Sequence, residues 1–91
     1  MQKITADVEM IDGTVHEDVR IIMADLIRYE DVAKMHKWGS IQQAPVRGQC
    51  FAAYAAMTRQ GLYDSTKGFD EFLNDCATVM ADFGDELNPT T

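Results

Sequence analysis

HKWGSIQQAPVRGQCFAAYAAMTRQG, His36 to Gly61, is the stretch on which the fold turns. It holds the only tryptophan of the chain, a loop leading to Pro45, and a run from Cys50 to Met57 in which Phe51, Tyr54 and Met57 stand among alanines. Pro45 suits a first helical turn, because the amide hydrogen it lacks would be unpaired there anyway. The helix it opens runs to about Gln60, where Gly61 stops it. From Cys50 to Met57 that helix has almost no polar side. A helix without a polar face belongs at the centre of a domain with neighbours on several sides, and its alanines let other backbones come close.

Working outward, Lys3 to Asp12 alternates cleanly, with Ile4, Ala6, Val8 and Met10 on one face and Lys3, Thr5, Asp7 and Glu9 on the other, which describes a half-buried strand. Asp12-Gly13 reads as a two-residue hairpin turn, and TVHEDVRI alternates again. Pairing about that turn sets Met10 opposite Val15, Ala6 opposite Val19 and Ile4 opposite Ile21, leaving Glu17 opposite Val8. A lone hairpin is marginal in water, so its apolar face requires a helical cover.

Between Ala24 and Lys37 the period lengthens. Leu26, Tyr29, Val32, Ala33 and His36 recur at spacings of three and four, with Arg28, Asp31 and Lys34 outside. Gly39 is the expected left-handed cap. On the other side of the central helix, GFDEFLNDCATVMADFG places Phe69, Phe72, Leu73, Cys76, Val79, Met80 and Phe83 on one helical stripe. Gly68 caps it, Asp70 and Glu71 complement its positive end, and Gly84 closes it. The expected architecture is α+β: an N-terminal β-hairpin packed on a mainly α-helical domain of about three helices. A single domain covers residues 1–84, followed by a polar tail over 85–91.

The 91 residues suffice for one domain. Fifteen acidic against eight basic residues give a net charge of -7, which disfavours nucleic acid and anionic membranes as partners. No run of about 18 apolar residues occurs, and the amino terminus lacks a signal-peptide core, so a cytoplasmic protein is expected. Cys50 and Cys76 read as two reduced core thiols.

Catalytic chemistry has little to stand on, and the chain reads as a non-enzyme. His16 falls on the polar face of its strand, and His36 sits in a last helical turn, where a cation suits the dipole. With Cys50 and Cys76 they form no chelating pair such as CxxC or HxxxH, so no metal or other cofactor is expected. Asp70-Glu71, Glu30-Asp31 and Asp85-Glu86 are sequence neighbours that diverge in space, and the glycines are scattered at turns. Methionines are core fillers or adaptable contact surfaces. Met10, Met57 and Met80 are expected in the core, whereas Met23 and Met35 fit the helical stripe poorly and belong at a partner-facing edge. Trp38 is either a lid on the core or a partner anchor. The candidate partner-binding residues are Met35, Trp38 and Tyr63.

A hairpin, a helix ending in His-Lys-Trp, a loop with Pro45, the helix FAAYAAMTRQG and then GFDEFLNDCATV together resemble the tail assembly chaperones of long-tailed bacteriophages. The likeness covers residues 3–83 and rests on packing and loop motifs. Met23, where a capping Ser or Thr is commoner, and a very short polar tail depart from that pattern. The resemblance implies a short form or shared N-terminal domain of such a chaperone, working in the bacterial host cytoplasm and absent from the finished virion. Its partners would be the tape measure protein, kept soluble, and the major tail protein, reached chiefly through a frameshifted longer form; self-association is compatible with the role. A small acidic DNA-mimic inhibitor and a structural tail or connector subunit are the competing readings.

Overall fold

A computed structural model of the chain describes residues 3–82. Phe83, Gly84 and the polar tail lie outside the described residues. The elements follow the order β1 (Ile4–Met10), β2 (Val15–Ile21), α1 (Met23–His36), α2 (Pro45–Gln60), α3 (Phe69–Asp75) and β3 (Cys76–Asp82). The fold is α+β, with the three strands in one antiparallel sheet ordered β2-β1-β3.

The hairpin forms, with a different turn. Gly13 donates its N–H to the Met10 carbonyl (3.0 Å), Met10 donates to the Thr14 carbonyl (2.8 Å), and Gly13 has φ +92°, so three residues rather than two make the loop. That extra residue moves the register by one beside the turn. Glu9 pairs with Val15 and Val8 with His16, so Val15 lies on the outer face, 54% exposed, and His16 on the inner face, half-buried. Continued to the end, this slip would turn Val19 and Ile21 outward. A bulge prevents it: Glu17 and Asp18 together oppose Asp7, and beyond them Ala6 faces Val19 and Ile4 faces Ile21 as expected. Asp18 takes the left-handed conformation (φ 56°) and donates its N–H to Asp7 Oδ1 at 2.9 Å.

The long third helix is corrected. Only Phe69–Asp75 is helical, and Cys76–Asp82 is a strand laid against the free edge of β1, with Ala6 opposite Ala81 and Val8 opposite Val79. The stripe through Phe72, Cys76 and Val79 fits a helix, but CATVMAD also alternates. Pairing with β1 satisfies a row of backbone groups that a two-stranded sheet would leave open. Met80 therefore stands on the outer face at 70% exposure rather than in the core, and Leu73 is 43% exposed.

Helix α2 is central, as its composition requires. It touches β2, β3, α1 and α3, and every residue from Phe51 to Met57 is buried. Pro45 opens it, and Gly61, at φ 77°, closes it by donating its N–H to the Met57 and Thr58 carbonyls. Around it, Tyr29, Trp38, Phe51, Tyr54, Tyr63, Phe69 and Phe72 form a continuous set of ring contacts with centroids 5.0–6.2 Å apart. Cys50 and Cys76 are free thiols, each half-buried, and burial raises the pKa of both.

Candidate functional site

Helix α1 carries two stripes. One, with Asp25, Tyr29 and Ala33, is buried against α2. The other, with Met23, Leu26, Ile27, Glu30, Lys34 and Lys37, forms one wall of a groove of about 650 Å³. The loop after α1, Gly39 to Gln42, Ile4 of β1, and Tyr29 and Ala33 of the buried stripe complete the lining. The lining is mostly apolar. Met23 and Ile27 are 67% and 51% exposed, and Lys34 and Lys37 are its cations.

The loop wall is fixed by specific contacts. Lys37, not Gly39, caps α1: it takes the left-handed conformation (φ 59°) and bonds to the Ala33 carbonyl, while Gly39 is left-handed two residues later. The Tyr29 hydroxyl donates to the Gly39 carbonyl at 3.0 Å. Burial raises the pKa of that phenol and keeps it a donor. Ser40 donates its N–H to Gln43 Oε1 (2.9 Å), and Gln43 returns its N–H to Ser40 Oγ (3.2 Å). Ile41 then packs on Gly48, where any added Cβ would run into its side chain. The groove is thus a preformed surface.

The start of α1 is anchored without a Ser or Thr cap. Asp25, whose side chain is 1% exposed, accepts the Ile22 N–H at 2.9 Å. It also receives Arg59 on both oxygens, Nε to Oδ1 at 3.1 Å and Nη2 to Oδ2 at 2.9 Å. Arg59 Nη2 and Gln60 Nε2 each donate to the Arg20 carbonyl. The end of α2, the start of α1 and the end of β2 meet at this carboxylate. The Asp25 bond holds the Arg59 guanidinium protonated beyond its usual range.

Met35, Trp38 and Tyr63 are not brought together, and none of them lines the groove. Met35 is 77% exposed on the solvent side of α1. Trp38 is a core lid: it packs on Tyr29, Phe51 and Phe69, stacks with His36 at 5.1 Å, and carries the Arg47 guanidinium 5.1 Å from its ring centre. Tyr63 rests on Tyr54 and Phe72 and donates its hydroxyl to Asp75 Oδ2 at 2.7 Å. Burial, helped by Asp75, raises its pKa well above the ordinary phenol value, and the same bond lowers that of Asp75. It lines a separate hollow beside the hairpin turn with Ile11, His16 and Leu62.

Of the methionines placed at an edge, Met23 does line the groove. Ile27, Lys34 and Ile41 went unread as contact residues. The signal was a second three-and-four spacing on α1, Met23-Ile27-Glu30-Lys34-Lys37, masked by the stronger buried stripe beside it.

Among the described residues, no cluster of three or more His, Cys, Asp or Glu is placed to hold a metal ion, and no helix is long and apolar enough to cross a membrane. Comparison with protein-family models, curated proteins and solved structures finds no match to this chain.

Proposed function

We propose that this protein is a tail assembly chaperone of a long-tailed bacteriophage, a non-enzymatic binding module that receives apolar helical segments of the tape measure protein in the groove along α1. The observation that carries the reading is the exposed apolar stripe of Met23 and Ile27, which lines one groove together with Ile41. An amphipathic helix docks by laying anchors spaced three and four residues apart into such a channel. Flexible methionine at the rim tolerates anchors of varied shape, as a client with many different helices demands. The net charge of -7 keeps the loaded complex in solution. In this role the protein works in the host cytoplasm, helps to bring major tail subunits to the coated tape measure, and leaves before the virion is complete.

Co-expression with the tape measure protein of the same genome tests the proposal. The expected result is a soluble complex on gel filtration that is lost when Met23 and Ile27 are both changed to Asp without a fall in melting temperature. A tape measure protein equally insoluble with and without this chain overturns it.

A further inference from the structure

The groove along α1 changes character along its length. Its lining from α1 begins with Met23, Leu26 and Ile27 and ends with Lys34 and Lys37. From Ile27 to Lys34 the helix axis advances about 10 Å, at roughly 1.5 Å per residue. Both lysines are exposed, and neither has an ion-pair partner among the described residues. Glu30, the only acid of the lining, precedes Lys34 by one helical turn without closing on it. Lysines in a last turn suit the dipole of their own helix, but charge is segregated here on a larger scale. No Asp or Glu occurs between Asp31 and Asp64, although the chain has 15 acidic residues and a net charge of -7. That interval supplies the cationic end of α1, the loop of the groove lining, and Arg47, whose guanidinium lies over Trp38.

We propose that the groove selects amphipathic helices by the order of their residues: a client docks antiparallel to α1, with carboxylates of its first turn beside Lys34 and Lys37 and its apolar anchors on Met23 and Ile27. The inference rests on the groove being a docking surface, as proposed above, and it adds which segments of a client are taken and in which direction. Two effects set the direction. Carboxylates are favoured in the first turn of any helix, at the positive end of its dipole. In the antiparallel arrangement that positive end also meets the negative end of α1, so dipoles, acids and lysines agree. A parallel client would have to carry its acids in its last turn, against its own dipole.

The test uses two synthetic peptides of about 15 residues, near the shortest length at which an isolated helix persists in water, and no tape measure protein. One carries two glutamates in its first turn and leucines at spacings of three and four in its last two turns; the other is its reverse sequence. Each is titrated against the parent protein and followed through the methyl resonances of Ile27 and Ile41. The acid-first peptide is expected to bind about fivefold more tightly, the effect of two exposed ion pairs, and the gap is expected to close in about 1 M salt. A spin label at its N-terminus is expected to broaden the Ala33 methyl more than the Met23 methyl. In the Lys34→Glu, Lys37→Glu variant the preference is expected to disappear, which separates recognition by the groove from any difference in helicity between the peptides. Equal affinities for the parent, a preference that survives the double substitution, or stronger broadening at Met23 overturns the proposal and leaves the docking surface standing. Methyl resonances of both isoleucines unmoved by either peptide overturn the two together.

Discussion

Arg59, in the last turn of α2, closes on Asp25, in the first turn of α1, through two hydrogen bonds of 2.9 and 3.1 Å across 34 positions of sequence. The carboxylate is fully buried and the guanidinium about one-third exposed. Removing the arginine therefore strands a charge, which is costly even where the intact pair adds little. Arg59→Met is expected to destabilise the fold by about 3 kcal/mol, which for a domain of this size lowers the melting temperature by at least roughly 12 °C. A urea midpoint that stays at the parent value would show that the pair is dispensable.

The bulge at Asp18 makes a second prediction. A β-branched side chain is strained at φ 56°, whereas Gly adopts that conformation freely. Asp18→Val is expected to cost about 1–2 kcal/mol more than Asp18→Gly. Equal thermal unfolding of the two variants would mean that the register correction does not depend on this residue.

Gly48 seats Ile41 in the groove lining. A methyl group there collides with Ile41, so Gly48→Ala is expected to push Ile41 toward solvent and to cost about 1–3 kcal/mol. The Ile41 methyl resonance reports the displacement directly; an unmoved signal with unchanged stability refutes it.

Trp38 packs on three core rings, and its removal is expected to destabilise the protein by about 2–3 kcal/mol, below the range for a fully buried Trp because the ring is only partly covered. Circular dichroism in urea measures this. A midpoint identical to the parent would return Trp38 to the role of partner anchor.

The Tyr63–Asp75 bond gives a pH signature. Asp75 is held below the ordinary carboxyl value by the Tyr63 hydroxyl and then by Lys67, so the stability it contributes is complete above the unfolded value of about 3.9 and is lost as pH falls through the lower folded value. Tyr63→Phe removes the main cause. The stability gap between the parent and the Tyr63→Phe variant is expected to be constant near neutrality and to narrow on acidification below about pH 4. Tyr63 shifts the other way: its raised value favours the folded state below the unfolded value of about 10, an advantage lost at more alkaline pH. A gap independent of pH from neutral to strongly acidic would exclude the coupling.

Local pattern carried much of the architecture. Alternation marked β1, the three-and-four spacing marked α1, and Pro45 and Gly61 marked both ends of α2. The absence of a polar side from Cys50 to Met57 placed α2 at the centre, because only surroundings on several sides can bury such a helix. The groove was half legible. Met23 was visible as a misfit in the buried stripe, but Ile4, on another element, and Ile41, seated on Gly48, have no local mark.

The sequence by itself determined which segments are apolar, where α2 begins and stops, and that its alanines invite close neighbours. Tertiary structure decided the rest. Cys76–Asp82 satisfies a helical stripe and a strand alternation alike, and the unpaired edge of β1 chose between them by offering backbone partners along its length. Asp25 and Arg59 are ordinary surface-type residues in sequence, and became a buried clamp only because the central helix carries its end across to the start of α1. A contact between residues 34 positions apart leaves no trace in local periodicity, since the geometry that joins them comes from the packing of the elements between.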